Sequence, residues 1–597
     1  MTNKEQQAES GTEEKLQQWK DLGAQSQRVI SAFIERQKGG DGFSVSDSKS
    51  IGNAFMKMNA KLLADPMKLV EAQQQLWKDS LLLWQNTMSR MAGQEVEPVV
   101  KPEPGDRRFK KAAWDEELTF DYIKQSYLLT SRWTQSLVSD VEGLDPATKQ
   151  KVDFYSRQFT SAMSPTNFAA TNPEVMKSVH ETGGQNLLDG LKNILGDMER
   201  GDGELKVSMT DMEAFTVGEN IATTPGKIIF QNDLMQLIQY TPTTEEVYKR
   251  PLLIVPPWIN KFYVLDLQPK NSFINWILDQ GYTLFVISWA NPTEELGNKH
   301  FGDYMLEGPL AAIDAIEKAT GEKEINALGF CIGGILMEAT LAWMAAKGDK
   351  RIKSATLLAT MLDFQEVGEV SVFVDEELVT SLEKHVGEKG YLDGKHMAQM
   401  FNMMRENDLI WSFVVNNYLL GNEPMPFDML YWNSDSTRLP AEMLLYYLKK
   451  IYLENGLIKP DYLELNGEKI NVTRIKTPTY VLATKEDHIA PWVSCYPVTQ
   501  EFSGPVRFVL GGSGHIAGIV NPPAAKKYAY WTHTKNPADP QSWLEQAKEH
   551  TGSWWTDWHK WLKKHSKEKV PARTPGAGKL SVIEDAPGAY VKAIYND

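Results

Sequence analysis

Cysteine is scarce in this chain, and so are the short motifs that bind metals or nucleotide phosphates. The 597 residues include only two cysteines, Cys331 and Cys495, too few for a disulfide framework and suggestive of a reducing compartment. No His-Glu-x-x-His, Cys-x-x-Cys or Gly-x-x-x-x-Gly-Lys-Ser/Thr pattern occurs, and the ten histidines are scattered. We therefore predict no metal site, and we find no dinucleotide-binding fingerprint.

Positive charge and long apolar runs are also limited. The formal net charge is −15 and the isoelectric point is near 5.3, which argues against a nucleic-acid partner because phosphate contacts need a basic surface. The N-terminus has no apolar signal core, so we expect a cytosolic protein. Ala327–Ala346 has the length of a membrane span, with Glu338 its only charge. Its glycines favour a buried strand running into a buried helix, so we expect no membrane span.

Residues 1–215 predict a mainly helical N-terminal domain, in which we expect 1–14 and the Pro/Glu-rich segment 94–106 to be flexible. A helix is clearest over residues 66–92, where Asp65 is suited to cap, Pro66 to begin and Gly93 to end it. Its apolar residues recur at helical spacing, and they indicate either a face packed in a core or a surface for an apolar phase or partner.

Residues 216–597 predict a second, α/β domain. Short apolar runs alternate with helical patterns, which is typical of a mostly parallel sheet with helices on both faces. Examples of the runs are Tyr282–Trp289 and Ile325–Leu328. The alternation stops between about residues 363 and 476, where we predict a mostly helical cap inserted over the sheet.

The pentapeptide Gly329-Phe330-Cys331-Ile332-Gly333 carries the strongest chemical signal. It follows a predicted strand, precedes a predicted helix, and matches the nucleophile elbow Gly-x-Ser-x-Gly of α/β hydrolases with cysteine in place of serine. Gly329 and Gly333 are needed because side chains there would collide with neighbouring backbone in so sharp a turn. The helix N-terminus behind Cys331 favours a thiolate.

A thiol nucleophile needs a base, and the base needs an orienting acid. In the hydrolase fold the chain order is nucleophile, acid, base. Asp487 follows one predicted late strand and His515 follows the next, inside a glycine-rich loop. We therefore predict a Cys331–His515–Asp487 triad. His488 competes for the role of base, although its place beside the acid favours a supporting hydrogen-bonding role.

The oxyanion hole of this fold uses the backbone N–H after the nucleophile and a second one from the loop after an earlier strand. The first is that of Ile332. For the second, the loop at Val255–Lys261 is the candidate, and we favour the N–H of Ile259. The alternative is that Pro256-Pro257 does no more than end the strand.

With these residues placed, the chain resembles the class I polyhydroxyalkanoate synthases from about Arg107 onward. One departure is Ala290, where the family usually has arginine. The family-like stretches are DRRF at Asp106–Phe109, SPTNFAATNPE at Ser164–Glu174, VPPWINKFYVLDLQP at Val255–Pro269, GFCIGG at Gly329–Gly334, NYLLGNEPMPFDMLYWN at Asn417–Asn433, EDHIAPW at Glu486–Trp492, SGHIAGIVNPPA at Ser513–Ala524 and GSWW at Gly552–Trp555.

The resemblance implies an acyltransferase that polymerises (R)-3-hydroxyacyl-CoA, mainly 3-hydroxybutyryl-CoA, through an acyl-Cys331 intermediate. CoA is then a leaving group and no cofactor is needed. It also implies a homodimer that works at cytosolic polymer granules, with the growing polyester and granule-coat proteins as partners. The activation of the 3-hydroxyl is assigned in the family either to Asp487 directly or to His515 oriented by Asp487.

Two other functions remain open from the sequence. An intracellular thiol hydrolase, either a polyester depolymerase or an acyl-CoA thioesterase, would use the same triad. A catalytically silent granule scaffold would need no nucleophile elbow, so the intact set of Cys331, Asp487 and His515 argues against it.

Overall fold

The computed structural model describes residues 24–29, 48–201 and 203–595. The segment predicted to be flexible at 1–14 lies outside the described residues. The chain divides into two compact units. The first unit is Met1–Asp211 with Met400–Met425, and the second unit is Met212–Gln399 with Pro426–Asp597. Residues 400–425, which lie inside the predicted cap, thus belong to the first unit.

The second unit is built on one large sheet. Its strands and those of two small hairpins are, in chain order, β1 (Gly226–Gln231), β2 (Met235–Tyr240), β3 (Glu246–Val255), β4 (Tyr282–Trp289), β5 (Ile325–Phe330), β6 (Ile352–Leu358), β7 (Tyr391–Leu392), β8 (Leu439–Pro440), β9 (Glu464–Leu465), β10 (Glu468–Lys469), β11 (Thr479–Thr484), β12 (Val506–Gly511), β13 (Ala529–Thr532), β14 (Lys548–Thr551), β15 (Lys569–Pro571) and β16 (Glu584–Asp585).

The order along the sheet is β14-β13-β12-β11-β6-β5-β3-β4-β2-β1-β16, and β15 pairs with β3. The six central strands from β12 to β4 run parallel. β2 is antiparallel to β4, and β1 and the outer strands pair antiparallel as well. The small hairpins pair β7 with β8 and β9 with β10. The prediction of an α/β domain is confirmed. The sheet is mixed, however: its six central strands are parallel as predicted, and the strands at both edges are antiparallel.

The middle of the sheet is buried on both faces, which is why its strands are continuous apolar runs. All eight residues of β4 are buried, as are all six of β5 and β11. Ile254, Val286, Leu328 and Leu482 are each 0% exposed and belong to one hydrophobic cluster. Polar and reactive residues that follow these strands therefore sit on a rigid base.

Helices cover the sheet and form most of the first unit. The α-helices are Ser48–Ala64, Pro66–Met91, Ala113–Glu116, Leu118–Ser139, Pro146–Ala162, Pro173–Thr182, Gln185–Arg200, Phe273–Asp279, Phe301–Met305, Ala311–Thr320, Ile332–Lys347, Glu376–Lys389, Gly394–Met404, Asp428–Ser434, Ala441–Tyr446, Trp492–Cys495, Val498–Glu501, Pro540–Gln546 and Trp555–Lys563. Wider π-helical turns occur at Leu306–Leu310, Asn407–Trp411, Val414–Leu419 and Tyr447–Leu453. Turns of 3-10 helix occur at Pro165–Asn167, Phe262–Asp266, Glu294–Leu296, Gly368–Phe373, Val472–Arg474, Pro523–Ala525 and Tyr590–Lys592.

The apolar run at Ala327–Ala346 is divided between β5 and the helix Ile332–Lys347, as expected from its glycines. Within the described part of the chain, no helix is both long and apolar enough to cross a membrane. The two strands after His565 were not predicted from the sequence. β15 and β16 are only three and two residues long, and each pairs with a strand more than 300 residues earlier, so no local pattern marks them.

The helix Pro66–Met91 begins directly after its predicted cap, Asp65. The Asp65 side chain accepts a hydrogen bond from the Lys68 N–H at 3.5 Å. One side of the helix is packed: Leu83 is 2% exposed and lies in a cluster with Trp114 and Phe120. The other side is apolar and exposed. Its residues, which we call the exposed apolar side, are Met67, Val70, Trp77, Leu81, Leu82, Trp84, Met88 and Met91. Of the two interpretations of this helix, the exposure of these residues favours an apolar surface.

The segment 94–106 has no helix or strand. Val100 nevertheless lies in the first unit's core: it is 2% exposed, packs in the cluster that contains Phe109 and Trp114, and donates its N–H to Gln125 Oε1 at 3.3 Å. These contacts fix the segment against the core of the first unit at Val100.

Candidate active site

Cys331 stands at the turn between β5 and the helix Ile332–Lys347. Its backbone has φ 52° and ψ −124°, a region that L residues avoid and that costs about 1–3 kcal/mol. The turn is held by three hydrogen bonds. The Cys331 N–H donates to Leu358 O at 2.8 Å, and Cys331 O accepts from the N–H groups of Gly334 and Ile335 at 2.8 and 3.1 Å. The strained conformation presents the thiol above the end of the sheet.

The glycines of the elbow are required by close backbone contacts. A Cβ on Gly329 would lie 2.6 Å from Gly334 Cα, and one on Gly333 would lie 2.3 Å from Pro256 O and 2.5 Å from Val255 O. Real Cβ atoms do not approach other atoms so closely. The contact at Gly333 also places the elbow directly against the loop that follows β3, from which we predicted the second oxyanion donor.

Asp487 lies in the turn after β11, with its side chain 0% exposed. Each carboxylate oxygen has two partners. Oδ2 is 2.7 Å from His515 Nδ1 and accepts from Thr484 Oγ1 at 3.0 Å. Oδ1 accepts from the N–H groups of Ile489 and Ala490 at 2.9 and 2.8 Å. The carboxylate is thus fixed in one orientation with no oxygen directed to solvent.

His515 lies in the loop after β12, with its side chain 7% exposed. Nδ1 faces Asp487 at 2.7 Å, and Cys331 is close enough to contribute to raising the pKa of the ring. The ring stacks on Phe330, with centroids 5.7 Å apart. Gly518 lets the loop pack, because a Cβ there would lie 2.5 Å from Thr484 Cγ2 and 2.8 Å from Gly512 O and Gly514 O. The structure therefore brings the three predicted triad residues together in the order Cys331, His515, Asp487.

The electrostatics of the triad follow from burial and from pairing. Burial alone would raise the pKa of Asp487, but the charge and hydrogen bond of His515, with the two backbone N–H groups, hold that pKa below its usual value. Burial alone would lower the pKa of His515, but Asp487 and Cys331 together raise it well above its usual value. An imidazole with a raised pKa holds a thiol proton more firmly, which suits a general base.

The predicted oxyanion donors lie on the two backbone segments that meet at Gly333. Ile332 is the first residue of the helix and is 3% exposed. Ile259 is half-buried, and its carbonyl accepts from Thr437 Oγ1 at 2.9 Å. The role of these two N–H groups stays a prediction.

His488 directly follows the acid and is half-buried. Its carbonyl oxygen lies 3.1 Å from the position that a Cβ on Gly368 would take. His515 Nδ1 lies 2.7 Å from Asp487 Oδ2, so the geometry favours His515 as the base. Ala290, where the family usually has arginine, comes directly after β4 and donates its N–H to Leu234 O at 2.8 Å.

A buried ion pair behind the Val255–Lys261 loop was missed from the sequence. Lys261 Nζ lies 2.6 Å from Asp435 Oδ1, with side chains only 4% and 9% exposed. Tyr263 donates its hydroxyl to Asp435 Oδ2 at 2.7 Å, and Trp432 Nε1 donates to Lys261 O at 2.8 Å. These bonds connect the loop to residues 432–435. Thr437, which donates a hydrogen bond to Ile259 O, follows two residues after Asp435.

Glu338 was also missed as part of the site's surroundings. It lies seven residues, about two helical turns, after Cys331. It is 0% exposed, and neither carboxylate oxygen has a hydrogen-bond partner. Burial raises its pKa well above the usual value. Cys495 is also fully buried, and burial raises its pKa, with further contributions from Asp487, Glu338 and Cys331. Cys495 thus has the surroundings of a small apolar residue of the core.

Among the described residues, one group of side chains has the composition and spacing to hold a metal ion. It consists of His385, Asp393 and His396, whose ligand atoms lie within 4.8 Å of one another. The group was not predicted from the sequence, because its two histidines match no short zinc motif.

The sheet order and the elbow define the chain's second unit as an α/β hydrolase fold with cysteine as the candidate nucleophile. Residues 250–522 match the family model described as alpha/beta hydrolase fold. Residues 105–277 match the model described as poly-beta-hydroxybutyrate polymerase (PhaC) N-terminus.

Curated relatives cover most of the chain. A poly(3-hydroxyalkanoate) polymerase of Methylorubrum extorquens is 50% identical over 89% of this chain and 88% of its own length. The poly(3-hydroxyalkanoate) polymerase subunit PhaC of Rhizobium meliloti (strain 1021) is 48% identical over 95% and 92%, and that of Cupriavidus necator is 42% identical over 88% and 89%. The chain therefore belongs to the poly(3-hydroxyalkanoate) polymerase family.

Proposed function

We propose that this chain is a class I poly(3-hydroxyalkanoate) polymerase that converts (R)-3-hydroxyacyl-CoA, mainly 3-hydroxybutyryl-CoA, into polyester with release of CoA. The observation that carries the proposal is the buried Asp487–His515 pair, with Oδ2 and Nδ1 2.7 Å apart, beside Cys331 at the elbow. Family membership supplies the reaction class, and the triad supplies groups that can perform it.

The first half-reaction is acylation of Cys331. His515 takes the thiol proton, and the sulfur attacks the thioester carbonyl of the substrate. The N–H groups of Ile332 and Ile259 are the proposed donors to the tetrahedral oxyanion. As the intermediate collapses, the bond from the acyl carbon to the CoA sulfur breaks and the proton on His515 passes to the CoA thiolate. The acyl group is left as a thioester on Cys331.

The second half-reaction is elongation. The 3-hydroxyl of another unit loses its proton to His515, and its oxygen attacks the acyl carbon of the Cys331 thioester. The bond from the acyl carbon to the Cys331 sulfur breaks, the proton passes from His515 back to the Cys331 thiolate, and an ester is formed. The structure favours His515 over Asp487 for this proton, because both Asp487 oxygens are already occupied and its side chain is 0% exposed. The thioester conserves enough free energy to drive ester formation, provided that water is excluded.

No cofactor enters this scheme, since the thiol, the imidazole, the carboxylate and two backbone N–H groups supply all the chemistry. We further propose that the protein is a homodimer at the surface of cytosolic polymer granules, in contact with the polyester and with granule-coat proteins. The exposed apolar side of the helix Pro66–Met91 supports the granule contact, since Trp77 is 70% and Leu81 54% exposed and such a surface suits an apolar phase.

The proposal is tested by giving the purified protein 3-hydroxybutyryl-CoA, following CoA release with a chromogenic disulfide and assaying the pellet for polyester. CoA release with insoluble polyester is the expected result. CoA release with only free 3-hydroxybutyrate would instead identify a hydrolase. No release with this or longer 3-hydroxyacyl-CoA substrates would leave the scaffold as the better description.

A pair of cysteine variants locates the chemistry within the same assay. Cys331→Ala should lower the rate of CoA release by about 10⁴-fold or more, because the nucleophile is lost. Cys495→Ala is the matched control: its thiol is 0% exposed with Sγ 3.9 Å from Ala490 O, so activity should stay within a few-fold of the wild type. Substantial turnover by Cys331→Ala would contradict the acyl-cysteine mechanism.

A further inference from the structure

The group formed by His385, Asp393 and His396 draws three metal-binding side chains from a stretch of 12 residues. His385 lies in the helix Glu376–Lys389, Asp393 directly precedes the helix Gly394–Met404, and His396 lies in its first turn. Asp393 is 1% and His396 5% exposed, while His385 is half-buried. The three ligand atoms therefore converge in a part of the second unit from which solvent is mostly excluded.

The connection between the two helices brings the side chains together. Gly390 ends the first helix with φ 76°, and its N–H donates to Val386 O at 2.7 Å. The next two residues form β7, which pairs with β8. Gly394 begins the second helix, and a Cβ there would lie 2.6 Å from Thr437 O. As a result, the rings of His385 and His396 meet edge to face, with centroids 5.8 Å apart and planes at 86°.

The donor set is typical of a divalent transition-metal ion. Two imidazole nitrogens and one carboxylate oxygen are typical of zinc sites that leave a fourth position to water. A tetrahedral zinc ion with bonds of about 2.0–2.2 Å needs ligand atoms roughly 3.3 Å apart. The three atoms lie within 4.8 Å, so small side-chain rotations would close the group on an ion. Calcium and magnesium need several oxygen ligands, and this group offers a single carboxylate.

The carboxylate of Asp393 is held by a neighbouring cation. Lys389 Nζ donates to Oδ2 at 3.0 Å, whereas Oδ1 is 4.0 Å from Arg438 Nε. Arg438 is itself placed between the rings of Tyr391 and Tyr595, at 4.2 and 4.5 Å from their centroids. Outer hydrogen bonds of this kind orient ligating carboxylates.

We propose that His385, Asp393 and His396 bind one divalent transition-metal ion, with zinc the ion that best fits these donors. The ion would join the helix Glu376–Lys389 to the helix Gly394–Met404. It adds a structural link within the second unit and takes no part in the Cys331 chemistry.

The test uses the full-length chain with a tag that contains no histidine, stripped of metal with a chelator and then dialysed. Zn²⁺ is titrated by calorimetry, and Co²⁺ by the visible absorption of the bound ion. The wild type should bind one ion per chain. Thermal unfolding with Zn²⁺ gives a second readout, because free ion at 100 times its Kd raises the ratio of folded to unfolded protein about 100-fold.

Three variants remove one ligand each: His385→Ala, Asp393→Asn and His396→Ala. Each should weaken Zn²⁺ binding by at least about 10-fold and abolish the zinc-dependent shift in unfolding temperature. His533→Ala is the matched control, since His533 lies after β13 and outside the group, and it should bind as the wild type does. Circular dichroism checks the fold, and His385→Gln or His396→Gln replaces an alanine variant that does not fold.

Two outcomes would overturn the proposal. One is the absence of stoichiometric binding of Zn²⁺ and Co²⁺ by the wild type. The other is binding that the three ligand variants retain to the same degree as His533→Ala. Neither readout depends on polymerase activity, so failure of this proposal and failure of the proposed function would be told apart.

Discussion

The turn after β11 and the helix after Cys331 each bury a carboxyl group in the second unit, but they surround it in opposite ways. Asp487 has four hydrogen-bond donors and a lowered pKa. Glu338 has no hydrogen-bond partner and a pKa raised well above its usual value. Both side chains are fully buried. Hydrogen bonds and a paired histidine, rather than depth of burial, therefore decide whether a carboxyl group here carries charge.

The largest effect is expected when Asp487 loses its histidine partner, His515, which keeps its carboxylate charged. His515→Gln should lower the rate of CoA release by about 10⁴-fold, because the thiol loses its base. The initial rate with 3-hydroxybutyryl-CoA is the measurement. His488→Gln is the control and should have a much smaller effect. If His488→Gln were inactive and His515→Gln active, the base would be His488 and the assignment of His515 would be wrong.

Replacing Asp487 itself should have the next largest effect. Asp487→Asn should lower activity by about 10³-fold, since an amide no longer holds His515 in the right tautomer. A single turnover with butyryl-CoA, which lacks the 3-hydroxyl, measures acylation alone, whereas 3-hydroxybutyryl-CoA measures both half-reactions. Because Asp487 is occupied by its four donors, we expect both rates to fall together. Intact acylation with lost elongation would show instead that Asp487 activates the 3-hydroxyl directly.

The triad could be predicted from the sequence because each member follows a strand and the order in the chain is known for the fold. The strand Tyr282–Trp289 could be predicted with its observed bounds because a fully buried strand is one unbroken apolar run. The elbow was marked by its own glycines. In all these cases the signal is local, within one strand and the turn that follows it.

What could not be predicted depends on distant contacts. Lys261 and Asp435 are 174 residues apart, and nothing near either residue shows that they pair. Glu338 is visible in the sequence as a single charge in an apolar run, but its lack of partners depends on every element around the helix. The periodicity of the helix Pro66–Met91 showed an apolar stripe without showing that most of it is exposed.

A third buried carboxyl group, that of Asp435, sharpens the comparison because a lysine compensates its charge. Lys261→Met leaves Asp435 buried without a cation and should destabilise the second unit by about 3 kcal/mol. Urea unfolding followed by circular dichroism measures the change. The double variant Lys261→Met with Asp435→Leu should recover much of the stability. A single variant as stable as the wild type would show that the ion pair contributes little.

At acid pH the smallest effect is expected at Glu338. Below about pH 4.5, where this carboxyl is protonated in both the folded and the unfolded protein, Glu338→Met removes a buried polar group without partners and should stabilise the protein by about 1–2 kcal/mol. Its folded-state pKa is raised, so the wild type's stability is greatest below the unfolded value near 4.5 and falls as pH rises, by about 1.4 kcal/mol per pH unit between the two pKa values. The gain from Met should therefore grow with pH above about 4.5, and thermal unfolding from pH 5 to pH 8 measures it.

Asp487 should contribute a pH dependence of stability opposite in sign to that of Glu338. Its folded-state pKa is lowered from 3.8, so its contribution to stability is present above that value and is lost as pH falls through the folded-state pKa.

Glu338→Gln is the control for side-chain volume in the Glu338 experiment, and it should remove the pH dependence while leaving a polar group. An advantage of Glu338→Met that does not change with pH would mean that Glu338 is already charged in the folded protein.

The exposed apolar side of the helix Pro66–Met91 also provides an optical probe. Trp77 and Trp84 are 70% and 53% exposed, and no other tryptophan in the described part of the chain is as exposed. Trp554, Trp555 and Trp558 lie at the other extreme, at 0–1%. Iodide in solution should therefore quench the emission of Trp77 and Trp84 before that of the buried indoles. Protection from iodide as polyester accumulates would report contact with the polymer in real time, without a dye or a label.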